Sequence, residues 1–284
     1  MEIPDAEHVS LTPEPRAPCI IDTGSQRVKR GRVISSRLMH MTNRFFIDST
    51  ISHWDADDVF IAGDEAHHFC KAMRGKVGDS LVLFDGTGPY SHGIVRSIQK
   101  EGIRVRITET FADDVESPLR LTVATPLPKG DRQRFLIEKL AELGVARFVP
   151  VQTERSVARA NDAVIRRLRR YVIEAAKQCG RNVLMEILDE VPMGRLNNVL
   201  TAETTKFLLH PIALGDVGQA TARQMVTDIP RKMAILVGPE GSFTDQEVAL
   251  ALQDGFRPLD LGKRILRTET ACMAAAALFL TVTG

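Results

Sequence analysis

The sequence has few cysteines and no long hydrophobic run. Its four cysteines are widely separated, with no Cys-x-x-Cys pair: Cys19, Cys70, Cys179 and Cys272. Neither a zinc knuckle nor a disulfide framework is therefore predicted, and reduced, mostly buried cysteines are typical of the cytosol. The longest apolar run, Ala271–Val282, is shorter than the roughly 18 residues of a membrane span, and the first forty residues lack the apolar segment of a signal peptide. We expect a cytoplasmic protein with no membrane contact.

The common phosphate-binding motifs are also missing. The chain contains neither Gly-x-x-x-x-Gly-Lys-Ser/Thr nor Gly-x-Gly-x-x-Gly after a strand. The formal net charge is only +1, from 37 Lys and Arg against 36 Asp and Glu, so only the local distribution of charge can indicate a partner. His67, His68 and His210 have no further Cys or His at metal-ligand spacing, which predicts packed or loop histidines and no metal site.

Residues 1–40 differ from the rest of the chain. Met1–Pro18 contains four prolines, and Gly24–Arg44 contains six basic residues and no acidic one. The first interpretation is a disordered extension, or a start codon placed too early, with Met39 or Met41 as the true start. The second is a basic arm for nucleic acid. The first is favoured because no aromatic residues are interleaved with the basic ones.

Two domains are predicted from the length of 284 residues. Residues 41–117 show short strands separated by glycine-rich turns, which is typical of a small β-barrel. The predicted strands are Arg44–Ile47, Val59–Ile61, Ser80–Phe84, His92–Ile98 and Ile103–Thr108, with one short helix over Asp64–Met73.

Residues 118–284 alternate strands with helices, which predicts a parallel sheet covered by helices on both faces. The predicted strands are Leu119–Thr125, Phe148–Val151, Lys206–Leu209, Ala234–Val237 and Pro258–Leu261. The predicted helices are Asp131–Leu143, Asn161–Cys179, Thr244–Leu252 and Thr268–Leu280. An apolar stripe of Val164, Leu168, Val172, Ala175 and Cys179 orients the second of these helices.

Open α/β sheets bind ligands beyond the carboxyl ends of their strands, and three segments lie there: Leu209–Pro211, Val237–Gly241 and Leu261–Thr270. The turn Gly238-Pro239-Glu240-Gly241 allows close backbone approach, but Glu240 disfavours a polyphosphate and suits a cationic or zwitterionic ligand. The alternative interpretation of the same residues is an ordinary strand–helix turn, followed by a capping box from Thr244 to Glu247.

The third segment places Arg264 and Arg267 around an apolar pair. It leads into Thr268, which can cap a helix, and Glu269, which favours a helix N-terminus. That helix is apolar on nearly every side over Ala271–Leu280, so we expect it between layers or at a subunit contact.

Two signatures now point to a known family. ILVGPEGSFTDQE (Ile235–Glu247) followed by LGKRILRTETA (Leu261–Ala271) resembles the C-terminal signature of the RsmE family, the 16S ribosomal RNA (uracil-N3)-methyltransferases of the SPOUT superfamily. Further segments agree in style and order: Lys129–Arg132, Glu138–Val145, Glu174–Arg181, Leu209–Pro211, Arg44–Phe46 and Leu83–Gly86. Ser242 and Thr244 depart from the family, in which glycine and serine are usual. The resemblance covers roughly Met41 to the end.

The resemblance implies a PUA-like RNA-binding β-barrel over residues 41–117, and over residues 118–284 a SPOUT domain with a trefoil-knotted parallel sheet. It also implies S-adenosylmethionine as cofactor, held by the three strand-end segments. The implied cofactor residues are Leu209, His210, Pro211, Gly238, Pro239, Glu240, Gly241, Leu261, Gly262, Ile265, Leu266, Thr268, Thr270 and Ala271.

Methylation at uracil N3 requires loss of a proton and stabilisation of the resulting anion. Arginine is a poor base because its pKa exceeds about 12, but it can stabilise that anion electrostatically. Arg267 is the first candidate for this role and Arg155 the second, with Glu240, or Glu269, as a proton acceptor. Surface solvation or an ion pair is the alternative for either arginine.

Clustered charge indicates where RNA would bind. Residues 154–181 contain eight basic and three acidic residues, mostly off the apolar stripe of the helix. The candidate RNA-binding residues are Arg44, Arg74, Arg166, Arg167, Arg170 and Arg181. The resemblance implies 16S rRNA, in the small ribosomal subunit or a late precursor, as substrate, and a homodimer. A non-catalytic rRNA-binding or assembly protein, or a SPOUT enzyme methylating another position such as a ribose 2′-O, remains the alternative.

Overall fold

The computed structural model describes residues 43–48, 52–54, 57–112, 116–202, 204–210, 220–221 and 230–283. The predicted extension at residues 1–40, and Pro211 in the predicted site, lie outside these residues. The described chain forms two sheets, one mostly antiparallel and one parallel. The prediction of a small β domain in front of a parallel α/β domain is therefore confirmed. Since strand β6 ends at Phe111 and β7 begins at Arg120, the predicted boundary at 117/118 falls between the sheets.

The first sheet has the order β1-β4-β5-β6-β3-β2. Its strands are β1 Arg44–Phe46, β2 His53–Trp54, β3 Asp58–Ala62, β4 Ser80–Phe84, β5 Tyr90–Ile98 and β6 Gly102–Phe111. Among its described strand pairs, only β1 and β4 are parallel. Alternate residues such as Phe45, Ile61 and Leu83 form its core. The predicted helix over Asp64–Met73 is present as α1, Gly63–His67, continued by a π-helix over His68–Ala72.

The second sheet is parallel in every described pair, with the order β10-β8-β7-β13-β11-β14-β12 and β9 beside β8. Its strands are β7 Arg120–Thr125, β8 Arg147–Gln152, β9 Glu186–Ile187, β10 Val191–Pro192, β11 Thr205–Leu209, β12 Ala220–Thr221, β13 Lys232–Val237 and β14 Arg257–Asp260. Strands β13 and β14 lie on opposite sides of β11, so the connection from β13 to β14 passes from one side of β11 to the other. The trefoil knot stays a prediction, because most of residues 211–231, which connect β11 to β13, lie outside the described residues.

Helices cover both faces of the parallel sheet, as predicted. They are α2 Arg132–Glu142, α3 Asp162–Cys179, a 3-10 helix over Met193–Val199, α4 Asp245–Gln253 and α5 Thr268–Thr283. Apolar side chains alternate along β13: Ile235 packs toward α2, α3 and α5, whereas Leu236 packs toward α4 and the 3-10 helix. Helix α5 buries Cys272, Ala276 and Phe279, which places it between layers.

Helix α3 begins and ends with recognisable caps. The Asn161 side chain accepts from the Val164 backbone N–H at 3.0 Å, and Gly180 ends the helix in the left-handed conformation. The buried positions are Ile165, Leu168, Val172, Ala175 and Ala176. The predicted stripe is therefore confirmed at Leu168, Val172 and Ala175, and Val164 packs against the same core while half-buried; Cys179, at the end of the helix, is also half-buried.

The two sheets meet along a domain seam, formed by α1, β1 and the β4–β5 turn on one side and residues 177–184 on the other. Lys177 Nζ lies 2.9 Å from Glu65 Oε1, and both side chains are mostly buried. Leu184 donates its backbone N–H to the Gly86 carbonyl at 3.1 Å. Gly86 has φ +86°, and a Cβ there would lie 2.7 Å from the Leu184 side chain, so the seam requires glycine.

Two predicted RNA-binding residues are part of this seam, which corrects their assignment. Arg44 is buried, its guanidinium donates to Asn182 Oδ1 at 2.5 Å, and it lies over the Phe84 ring. Arg181 is buried against the Glu116 carboxylate, the Ala141 carbonyl in the last turn of α2 and the Val145 carbonyl just after it. Because both guanidinium groups are bonded inside the protein, they are not available to phosphates, and their role is to join the sheets.

No helix among the described residues is long and apolar enough to cross a membrane. In the same residues, no group of three or more His, Cys, Asp or Glu side chains is arranged to hold a metal ion.

Candidate functional site

A cavity of about 610 Å³ lies beyond the carboxyl ends of β11, β13 and β14. Helix α5 contributes its first turn, and α2 contributes its first residue. The lining residues are Arg132, Leu209, His210, Val237, Gly238, Pro239, Glu240, Ser242, Leu259, Asp260, Leu261, Gly262, Arg264, Ile265, Leu266, Arg267, Thr268 and Ala271. The volume falls within the range of small-molecule sites, about 300–1,000 Å³.

The glycine turn after β13 forms one wall of the cavity. The Gly238 carbonyl accepts from Thr268 Oγ1 at 2.9 Å, which connects the turn to α5. A Cβ at Gly238 would lie 3.1 Å from the Phe243 ring, so a side chain there would crowd the wall. Ser242 has φ +64°, in the left-handed region that favours glycine, and this explains why a glycine is usual at this position.

The start of α4 holds the turn from outside. The predicted capping box is confirmed, because Thr244 Oγ1 accepts from the Glu247 N–H at 3.3 Å and Glu247 Oε2 accepts from the Thr244 N–H at 2.9 Å. Arg155 donates to the Gly241 carbonyl at 2.7 Å. Arg155 does not line the cavity, so its contact supports the turn from behind.

His210 follows β11 and lies on the cavity wall. Its Nδ1 is 3.3 Å from Ser242 Oγ, and its ring centroid is 6.0 Å from that of Phe243. Burial lowers the pKa of His210 below its ordinary value, and the Asp245 carboxylate only partly opposes this. At neutral pH the ring is therefore uncharged and can share a hydrogen bond with the hydroxyl.

The loop from β14 to α5 covers the opposite side. The Gly262 N–H donates to Asp260 Oδ1 at 2.7 Å, which starts the loop with a tight turn. Ile265 is 89% exposed, an unusual position for an isoleucine. Arg267 is also exposed on the cavity wall, and its guanidinium forms no hydrogen bond or ion pair with any described residue. It is therefore available to an anionic or polar ligand.

Arg132 is a cavity residue that the sequence prediction missed. It begins α2, and its Nη1 forms an ion pair with Glu240 Oε1 in the glycine turn. The same nitrogen lies 3.8 Å from Glu269 Oε1 in the first turn of α5. One sequence signal could have located it. Lys129–Arg132 follows β7, the strand next to β13, so the rule that ligands bind beyond the ends of parallel strands also applies to this segment.

The structure brings most of the predicted cofactor residues together. Leu209, His210, Gly238, Pro239, Glu240, Leu261, Gly262, Ile265, Leu266, Thr268 and Ala271 all line the cavity. Gly241 and Thr270 do not: Gly241 packs against Arg155, and Thr270 is exposed on α5. The prediction omitted Arg132, Val237, Ser242, Leu259, Asp260 and Arg264, although all but Arg132 lie within or beside the three predicted segments.

The basic surface is narrower than the sequence predicted. Arg166 and Arg170 are exposed on α3 without a hydrogen bond or ion pair to any described residue. Arg167 is exposed and donates to Gln133 Oε1 at 2.8 Å. Gln133 adjoins Arg132, so this half of α3 lies at the cavity end of the sheet. Arg74 is exposed in the small domain, far from this helix in sequence.

Comparisons with known families match both domains. Residues 115–280 match the RNA methyltransferase domain family, and residues 61–108 match the RNA methyltransferase PUA domain family. The chain is 31% identical to ribosomal RNA small subunit methyltransferase E of Bacillus subtilis over 241 residues, which covers 82% of this chain and 93% of that protein. It is 32% identical to the Synechocystis protein of the same name over 213 residues, covering 75% and 69%.

Solved structures show the same similarity. A ribosomal RNA small subunit methyltransferase E from Neisseria gonorrhoeae, bound to S-adenosyl methionine, is 30% identical with a TM-score of 0.72, covering 84% of this chain and 97% of that one. A Legionella pneumophila protein, also in complex with S-adenosylmethionine, is 29% identical with a TM-score of 0.75 and the same coverage.

Proposed function

This chain belongs to the RsmE family of ribosomal RNA small subunit methyltransferases, and from this we propose that it methylates N3 of a uridine in 16S rRNA. The chain is an RNA methyltransferase that uses S-adenosylmethionine, as its relatives do. The exposed, unengaged guanidinium of Arg267 on the cavity wall is the observation that carries the proposal of a uracil substrate, because N3 must lose its proton to be methylated and the ring then carries negative charge until the methyl group is transferred.

The cavity fits the cofactor in size and in chemistry. Leu209, Leu261 and Leu266 give it apolar walls, and the turn at Gly238 borders it. Asp260 lines it without an ion pair to any described residue, whereas Glu240 is paired with Arg132, and Arg264 and Arg267 add positive charge. This mixture suits S-adenosylmethionine, which carries a sulfonium, an ammonium and a carboxylate group. When bound, S-adenosylmethionine supplies an activated methyl group.

The protein's own residues must orient the base, accept its N3 proton and stabilise the resulting negative charge. We assign Arg267 to stabilising the negative charge that spreads over the uracil carbonyl oxygens when N3 is deprotonated. We assign Glu240, on the rim of the same cavity, to accepting that proton directly or through water. Arg155 acts behind the wall, through its bond to the Gly241 carbonyl, rather than on the base.

RNA would bind along α3 next to the cavity. Arg166, Arg167 and Arg170 face solvent at the end of α3 that contacts the start of α2, and Arg132 of α2 lines the cavity. Phosphates bound by these arginines would bring a nearby nucleotide to the cavity mouth. Arg74, exposed in the PUA-like domain, is proposed as a second contact.

We also propose a homodimer that acts in the cytoplasm on small subunits or late precursors. Phe135 of α2 is 45% exposed and Val282 of α5 is 49% exposed. A homodimer that used α2 and α5 at its subunit contact would bury both side chains. Light scattering should then give a mass about twice the 31.4 kDa of one chain.

The function is tested by incubating the purified protein with small subunits from cells that lack it, together with S-adenosylmethionine. The rRNA is digested to nucleosides and analysed by mass spectrometry, with free 16S rRNA assayed in parallel. We expect N3-methyluridine, which carries its added mass on the base fragment and co-elutes with authentic N3-methyluridine rather than with its isomer 5-methyluridine.

Two outcomes would contradict this proposal. Added mass on the ribose fragment would favour a 2′-O-methyltransferase. Cofactor and rRNA binding without any methylation would favour a non-catalytic assembly protein.

A further inference from the structure

We propose that Arg132 is a positioning residue of the cofactor cavity that acts through Glu240. The inference takes S-adenosylmethionine as the cavity's ligand and in this respect rests on the proposed function. It adds to the site a residue from the start of α2, which lies outside the three strand-end segments.

Arg132 joins three separate parts of the chain. It is the first residue of α2, Glu240 belongs to the turn after β13, and Glu269 belongs to the first turn of α5. All three parts border the cavity. The Arg132–Glu240 ion pair therefore connects one wall of the cavity to the α2 side of the sheet, across 108 positions of sequence.

Glu269 makes the position of Arg132 more specific. Its side chain is only 8% exposed, and Oε2 has no hydrogen-bond partner among the described residues. A buried carboxylate is costly unless a cation is near, and Arg132 Nη1 lies 3.8 Å from its other oxygen. The arginine guanidinium is planar and has several N–H donors, so it can interact with two carboxylates at once. A lysine ammonium at this position would act as a single point charge.

The ion pair should matter for binding more than for folding. Arg132 and Glu240 are 37% and 43% exposed, and ion pairs of this kind contribute little to stability. Val237, Gly238 and Pro239, which precede Glu240, form the cavity wall. Without the ion pair the turn samples more conformations, and the ligand must then order it on binding.

A double-mutant cycle on cofactor affinity tests this inference. Calorimetry with S-adenosylmethionine is performed on the full chain and on Arg132→Ala, Glu240→Gln and the double variant. We expect Arg132→Ala to weaken binding about tenfold. We expect the double variant to bind no more weakly than Arg132→Ala alone, because both substitutions remove the same interaction. Binding, unlike turnover, is independent of any role of Glu240 as proton acceptor.

Further variants separate positioning from folding. Arg134→Ala, which removes an exposed α2 arginine paired with Glu138, should bind the cofactor as the wild type does. Arg132→Lys keeps the charge and should recover part of the affinity. In the ligand-free Glu240→Gln variant, which breaks the ion pair but leaves Arg132 beside Glu269, amide hydrogen exchange should rise in the 238–241 turn while the melting temperature changes little.

The outcomes distinguish this proposal from the proposed function. If the wild type bound no cofactor, the assignment of the ligand itself would fail. If the wild type bound it and Arg132→Ala bound it equally well, Arg132 would have no positioning role. If the effects of the two single variants added in the double variant, Arg132 would act on the ligand directly and the inference would be overturned.

Discussion

Arg181 donates to both oxygens of the Glu116 carboxylate, from Nε at 2.8 Å and from Nη2 at 2.6 Å. Its Nη1 also donates to the carbonyls of Ala141 and Val145, at 3.1 and 2.8 Å. The side chain is 6% exposed, so a residue that sequence charge assigns to RNA holds the fold together instead.

Arg181→Ala should destabilise the protein by about 3 kcal/mol, because it removes the cation beside the Glu116 carboxylate and the donor to the carbonyls of Ala141 and Val145. Urea unfolding measures this change. Arg166→Ala, on the exposed face of α3, serves as control and should change stability by less than about 0.5 kcal/mol. Equal stabilities of the two variants would contradict the structural role.

Arg267→Ala should lower the methylation rate by about 10²-fold or more while leaving the fold and cofactor binding intact, because the variant removes charge stabilisation of the uracil anion. Single-turnover assays on small subunits measure the effect. Lys263→Ala is the matched control, since Lys263 is exposed in the same loop but does not line the cavity. Unchanged turnover in Arg267→Ala would exclude Arg267 from the reaction.

Arg166→Glu and Arg170→Glu should each weaken binding to small subunits, most strongly at low salt. The slope of log affinity against log salt concentration should fall by about one for each phosphate that the variant no longer neutralises. Arg195→Glu makes the same charge change on the 3-10 helix, which packs on the opposite face of the sheet. An equal weakening by Arg195→Glu would show that net charge, rather than the α3 surface, governs binding.

Stability should fall in mild acid because of His210. Its pKa is lower in the folded protein than in the unfolded chain, so the stability it contributes is complete above about pH 6.5. That contribution is lost as the pH falls through the lower, folded-state pKa. Urea unfolding at pH 7.5 and 5.5 should show a smaller decrease for His210→Asn than for the wild type, with exposed His67→Asn as control. Equal decreases in all three proteins would refute the assignment.

Local patterns predicted the elements and most of the cavity, because those features depend on near neighbours in sequence. The apolar run at Ser80–Phe84 matches β4 residue for residue, and the Thr244–Glu247 cap forms as expected. The position of the cavity was also predicted, because ligands bind beyond the carboxyl ends of parallel strands and these ends all lie at one edge of the sheet.

Long-range pairing could not be predicted in the same way. The Glu116 partner of Arg181 lies 65 positions away and the Asn182 partner of Arg44 lies 138 positions away. Nothing local distinguishes these arginines from Arg166, which remains exposed. Arg132 was missed for the same reason, because its role depends on a turn more than a hundred residues later.

The domain seam has a consequence for how the protein selects its substrate. Three separate contacts join the two domains at this seam: Lys177–Glu65, Arg44–Asn182 and the backbone bond from Leu184 to Gly86. A hinge motion between the domains would have to break all three at once. The proposed RNA contacts, Arg74 and the α3 arginines, are therefore held at a constant separation. A folded RNA that already presents its phosphates at this separation loses little conformational entropy on binding. A flexible single strand must first be ordered and loses more.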